Sequence, residues 1–205
     1  MEKIIEPTSL QLEFSSIFPT LMLASSSPNR KALIEAGGTR TLTFKPDILE
    51  VRDDRDPIGS VERIVKNKLG SYLSSSSFQP ELIAIAADTL VFKDGKLMGK
   101  PIDEDDARSM LCFQSGGKQS VLTSIGMYIP NIGNIYFTDS ADVNFKALSD
   151  EEIDKYILTG ESMGAAGAYR FQKTGYTLLE SIDGDWTTVV GLPMRAIIDK
   201  YKALV

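Results

Sequence analysis

The stretch LMLASSSPNRKALIEAGG, residues 21–38, decides the fold class. Four apolar residues run without alternation and stop at three serines, which reads as a short buried strand entering a turn. Ser27 suits a helix N-cap, because its hydroxyl can accept from an amide of the first turn, and Pro28 suits the first helical position. The helix carries Leu33 and Ile34 and ends at Gly37-Gly38. The segment is therefore a strand, a serine-rich turn and a helix.

The same alternation recurs downstream. A strand is expected at residues 42–48, and Asp56-Pro57 opens a helix with Val61, Ile64, Val65 and Leu69 on its apolar side. A serine loop at 74–77 leads to a buried strand at 81–87 that ends at Asp88-Thr89. Residues 90–98 read as a hairpin turning at Asp94-Gly95. Residues 103–106 give the next helix an acidic first turn, which suits its dipole. Residues 121–129 and 135–145 read as paired strands, and Ser149 with Glu152 forms a capping box for a helix through Ile157. A late strand is expected at 176–182, and Gly191-Leu192-Pro193 starts the last helix. Strand–helix units mixed with hairpins predict an α/β fold, with a mixed sheet and flanking helices. Two lobes around a cleft fit this order, although no linker marks them. Residues 1–20 read as an N-terminal extension and 21–205 as the domain.

Composition narrows the chemistry. With 205 residues and 42% hydrophobic content the chain can bury a sizeable core. A net charge of −6 argues against binding duplex nucleic acid, which needs clustered cations, yet leaves room for a small phosphorylated ligand. No apolar run reaches the roughly 18 residues of a membrane span, and the first twenty residues lack the pattern of a signal peptide. The lone Cys112, expected as a buried structural thiol, cannot form an intrachain disulfide. Together these predict a cytoplasmic protein. The absence of histidine excludes Ser-His-Asp triads, Cys-His dyads and His-based metal sites. Acid–base work falls to carboxylates, Lys, Tyr or metal-bound water.

Several residues are candidates for that work. The serine turn places amides and hydroxyls at a helix N-terminus, with Arg30 just inside, and such a turn holds a phosphate or simply caps the helix. Asp88, at the end of a buried strand, holds a divalent cation, accepts a proton from water, or caps the strand end or turn. Lys100 can neutralise a phosphate, but Gly95 precedes Gly99-Lys100 by one residue too few for a P-loop, and Pro101 replaces its Ser or Thr. Gly116-Gly117-Lys118-Gln119 fails too, with Cys112 where the first glycine belongs. Taken singly, Glu50 and Lys68 read as surface charges, residues 164–167 as tight packing or a turn, and Asp183-Gly184-Asp185 as a loop turn.

In order and wording the segments resemble the Maf family. LASSSPNRKALIEAGG (23–38), VERIVKNKL (61–69), IAADTLVF (85–92), GKPIDEDDARSML (99–111) and GAAGAYRFQKTGYTLLESIDGDWTTVVGLPM (164–194) carry the resemblance, which runs from Leu21 to about the chain end. It implies a fold related to inosine triphosphate pyrophosphatases and hydrolysis of a nucleoside triphosphate to monophosphate and pyrophosphate. It implies that Ser25, Ser27 and Arg30 hold phosphate, that Glu50 and Asp88 serve a divalent metal (Mg²⁺ or Mn²⁺), and that Asp88 is the base. Lys68 and Lys100 would stabilise the phosphate chain. Thr89 and Gln172 resemble the class of members preferring dTTP and UTP over 7-methyl-GTP. Asn29 stands where members usually carry Arg or Trp, and Gln119 where many carry His, and both bear on substrate choice. A homodimer is also implied. Two rival readings are a nucleotide-binding regulator of cell division with little turnover, and an interaction protein whose charges are all solvated.

Overall fold

The polar run at the serine turn does form where the parallel part of the sheet stops, and the rest of the architecture follows from that junction. The computed structural model describes residues 7–205. Its helices are α1 (Ser9–Ile17), α2 (Pro28–Glu35), α3 (Pro57–Leu73), α4 (Glu104–Gln114), α5 (Asp150–Ile157), α6 (Trp186–Val190) and α7 (Met194–Lys202). Its strands are β1 (Thr20–Ala24), β2 (Arg40–Phe44), β3 (Ala84–Lys93), β4 (Lys96–Met98), β5 (Lys118–Ile129), β6 (Gly133–Phe145) and β7 (Leu179–Asp183). They form one seven-stranded sheet in the order β2-β1-β3-β5-β6-β7, with β4 paired to β3. The β2–β1 and β1–β3 pairs are parallel and the others antiparallel, so the sheet is mixed as expected.

The two faces of the sheet carry different layers. On one face α3 covers Met22, Ala24, Ala84 and Ala86 through Val65, Leu69 and Tyr72, with Val61, Leu90 and Leu122 continuing the layer. On the other face the long strands run beneath two separate clusters. Leu21, Leu23, Ile85, Ile125 and Met127 pack with Phe14, Ile34 and Ile197. Val91, Val121, Val143 and Phe145 pack with Leu111, Ile153 and Tyr169. Thr89 and Thr123 lie in the strands between these clusters.

Local chemistry sets most boundaries where the sequence puts them. Ser27 caps α2, Asp56 caps α3, and Ser149 and Glu152 complete their capping box. Asp94 and Gly95 make the β3–β4 turn with φ of +47° and +79°, the left-handed pair that a tight hairpin needs.

Four expectations change. The strand expected at 42–48 is Arg40–Phe44, ending before Pro46, which has no N–H to give a ladder. The strand expected to stop at Asp88 runs on to Lys93, because β5 continues to pair with it after β1 has ended. The late strand begins only at Leu179, after a 3-10 segment over Thr174–Leu178. Cys112 is exposed. The buried positions of α4 are Ala107, Leu111 and Gln114, a one-face spacing that turns residue 112 outward. Of the stretch read as an extension, residues 1–6 lie outside the described residues. The remainder holds α1, capped by a Thr8–Gln11 box, with Phe14 and Phe18 fully in the core.

Candidate active site

β1 pairs with β3 only through Ala86, and β4 joins β3 only from Val91. The edge of β3 between them is open, and Asp88 and Thr89 sit on it. Strand alternation sends Asp88 toward α3 and Thr89 toward the opposite face. A cleft opens here, lined by all nine residues singled out in the sequence: Ser25, Ser27, Arg30, Glu50, Lys68, Asp88, Thr89, Lys100 and Gln172.

On the α3 side, Lys68 is the central charge. Its ammonium donates to Asp88 Oδ1 at 2.5 Å and lies 2.8 Å from Glu50 Oε1. Lys68 and Asp88 are buried, 8% and 6% exposed, and such charges persist in a protein only when paired. Arg52 holds the other oxygen of Glu50, with Nη2 to Oε2 at 3.0 Å. Burial is the largest influence on Glu50 and pushes its pKa up. The Lys68 hydrogen bond and the charges of Lys68, Arg52 and Lys100 together outweigh it, holding the carboxyl below its usual value.

On the other side, Arg30 is buried at 7% exposure. Its guanidinium donates from Nε to Gly191 O at 2.7 Å, from Nη1 to Ser25 Oγ at 3.1 Å and from Nη2 to Thr89 Oγ1 at 2.9 Å. Burial lowers its pKa, opposed by the charges of Asp88 and Glu50. Ser25 Oγ also accepts from the Ser27 amide at 3.2 Å, and Ser27 Oγ from the Arg30 amide at 3.4 Å. The turn thus caps its helix and faces the cleft at once.

Lys100 and Gln172 are exposed on the cleft walls. Asn29 also lines the cleft, whereas Gln119 is buried beneath it and beside Tyr169, whose hydroxyl burial pushes to a higher pKa.

Sequence reasoning missed several residues that line or brace the cleft. Arg52 sits two positions after Glu50, a charge close enough in sequence to have been noticed. Arg170 donates from Nε to Glu161 O at 2.9 Å and from Nη2 to Met163 O at 2.7 Å, which fixes the loop over residues 164–167 as one wall. No spacing rule marks that function. Gly191, read only as a helix start, sits at φ +106°, and its carbonyl anchors Arg30.

A divalent cation needs oxygen ligands. Asp88 keeps Oδ2 buried without a hydrogen-bond partner among the described residues, and Glu50 lies across Lys68 from it. Mg²⁺ is commonly bound through one or two carboxylates, with water and substrate phosphates completing its shell. Among the described residues no group of three or more His, Cys, Asp or Glu could hold a metal. The pair therefore fits a cation that arrives with phosphate.

Together, fold and cleft define an α/β protein whose cleft gathers Arg30, Lys68 and Lys100 beside two carboxylates, Glu50 and Asp88. The family model described as Maf-like protein matches residues 20–204, and the chain belongs to the Maf family. A dTTP/UTP pyrophosphatase of Chromobacterium violaceum is 40% identical over 179 residues, covering 85% of this chain and 89% of its own. A dTTP/UTP pyrophosphatase of Geobacillus sp. is 36% identical over 185 residues, covering 90% and 97%. One of Aquifex aeolicus is 37% identical over 185 residues, covering 90% and 93%. No helix among the described residues is long and apolar enough to cross a membrane.

Proposed function

We propose that this chain is a nucleoside triphosphate pyrophosphatase that takes a pyrimidine substrate of the dTTP/UTP kind and releases the monophosphate and pyrophosphate. The observation that carries the reading is Lys68 held between Glu50 and Asp88, opposite the turn that seats Arg30. Phosphoryl-type chemistry depends mainly on positioning and charge neutralisation, and this cleft offers both. The relatives named dTTP/UTP pyrophosphatase support the substrate class.

In this reading Arg30, Lys68 and Lys100 neutralise the phosphate chain, and the Ser25 hydroxyl and the turn amides hold its oxygens. Asp88 accepts the proton of the attacking water. Glu50 and Asp88 would hold Mg²⁺ or Mn²⁺, which when bound supplies charge neutralisation and a more acidic water. Gln172, exposed on the cleft wall, meets the base. The setting we propose is cytoplasmic, with the chain as a homodimer.

The test is pyrophosphate release from dTTP, UTP, CTP, 7-methyl-GTP and ITP, with Mg²⁺ or Mn²⁺ and with chelator. Metal-dependent release that favours dTTP and UTP is expected, and Asp88→Asn is expected to bind nucleotide yet lose turnover. A folded sample that binds nucleotide but releases no pyrophosphate would replace this reading with that of a regulator.

A further inference from the structure

We propose that Thr123 is a positioning residue. By fixing the direction of the hydroxyl bonds behind Arg30, it makes Thr89 a holder of that guanidinium and not a donor to substrate. Thr123 is fully buried and does not line the cleft. Its Oγ1 donates to Thr188 O at 2.8 Å. A carbonyl oxygen can only accept, so the single hydroxyl proton of Thr123 is spent there. The Oγ1 atoms of Thr89 and Thr123 are 3.0 Å apart. With the Thr123 proton committed, Thr89 must be the donor of that bond. Thr89 therefore turns a lone pair toward Arg30, whose Nη2 donates to it at 2.9 Å. The chain is one-directional: Arg30 to Thr89, Thr89 to Thr123, Thr123 to Thr188.

Thr89 has no proton left for a ligand. Ser25 is in the opposite position. Its Oγ accepts from Ser27 N and from Arg30 Nη1, so its own proton points elsewhere, and Ser25 becomes the hydroxyl that can donate to a phosphate. The far end of the chain is held too, because Thr188 Oγ1 donates to Asp139 Oδ2 at 2.5 Å and the next turn carries Gly191, whose carbonyl takes Arg30 Nε. Two elements on different sides of Arg30 thus set one guanidinium plane.

This rests on the proposed pyrophosphatase reading, and the experiment separates the two. Thr123→Val keeps shape and removes the hydroxyl, while Thr123→Ser keeps the hydroxyl. In Thr123→Val we expect kcat/KM to fall about tenfold, the scale of one lost buried hydrogen bond, and inorganic pyrophosphate to inhibit more weakly. Thr123→Ser should stay within about twofold of the parent. In an Arg30→Lys background Thr123→Val should cost little more, as coupled neighbours do. If Thr123→Val folds poorly, Thr89→Val against Thr89→Ser makes the same comparison. A full additional loss in the Arg30→Lys background, or equal losses in the Val and Ser variants, would show packing alone and overturn the proposal. A parent protein without activity on any nucleotide would defeat the pyrophosphatase reading instead.

Discussion

Replacing Lys68 by Met isolates what the buried charge pair does. The side chains of Lys68 and Asp88 are 10% and 9% exposed and meet at 2.5 Å. Methionine has nearly the length of the Lys stem and fills its channel, but it leaves Asp88 facing Glu50 without the cation between them. Breaking a buried pair by removing one partner typically costs about 3–5 kcal/mol. The lower end applies here, because Glu50 is 36% exposed at the side chain and keeps Arg52. With a urea slope of about 2 kcal/mol per molar, a loss of about 3 kcal/mol moves the unfolding midpoint down by about 1.5 M. The same variant makes a second demand. Two carboxylates that have lost their internal cation should gain more from an external one. Urea titrations in chelator and in excess Mg²⁺ are expected to show a larger upward shift for Lys68→Met than for the parent, by ligand linkage to the folded state. A midpoint in chelator within about 0.3 M of the parent would refute the claim that Asp88 depends on Lys68 for its burial. An Mg²⁺ response no larger than the parent's would refute the claim that Glu50 and Asp88 form a cation site.

Other residues give separate outcomes. A Cβ at Gly191 would sit 2.8 Å from Thr89 Oγ1 and 3.2 Å from Arg30 Nη2, at φ +106°; Gly191→Ala should lower Tm and cut pyrophosphate release at least tenfold, with unchanged far-UV circular dichroism. The folded-state pKa of Glu50 lies below its usual 4.5, so its stabilisation is full above about that pH and fades as pH falls through the lower folded value. Glu50→Gln should therefore destabilise more at pH 7 than at pH 3, measured as the gap in urea midpoint between variant and parent. Gln172→Ala should change the ratio of kcat/KM for UTP and CTP while leaving the urea midpoint within about 0.2 M, as an exposed side chain should.

Much of this was legible because local chemistry and tertiary structure agree. Ser27-Pro28, Asp56-Pro57, Asp94-Gly95 and Ser149 with Glu152 each satisfy backbone groups in the place where the chain needs them. The strand at 84–93 runs past its expected end at Asp88, a residue strands disfavour, because the long-range partner β5 keeps it extended. Cys112, expected buried because no neighbour would activate its thiol, is exposed because the helix face is set by positions 107, 111 and 114. In the site, Glu50 and Lys68 each read as solvent charges when taken alone, and it was the ordered resemblance that named them. Gly191 was missed because its role is a contact across the fold, 161 residues from Arg30, and Arg170 because no spacing rule marks the loop carbonyls it holds, whereas Arg52, two positions from Glu50, was within reach of the sequence.

The net charge also has to be read at the right range. The whole chain carries −6, yet the charged residues lining the cleft are Arg30, Arg52, Lys68, Lys100 and Arg170 against Glu50 and Asp88, five positive and two negative, a local excess of +3. At physiological salt a surface charge is felt over about 8 Å, while groups inside a partly buried site are screened far less. The acidic exterior therefore weakens long-range attraction for any polyanion, and the cleft restores it only for a ligand small enough to enter. A nucleoside triphosphate meets that condition. The ion-pair geometry sharpens the same selection. Two of the five cations, Lys68 and Arg52, spend their charge on Glu50 and Asp88, which leaves Arg30, Lys100 and Arg170 as the excess that a phosphate chain would balance.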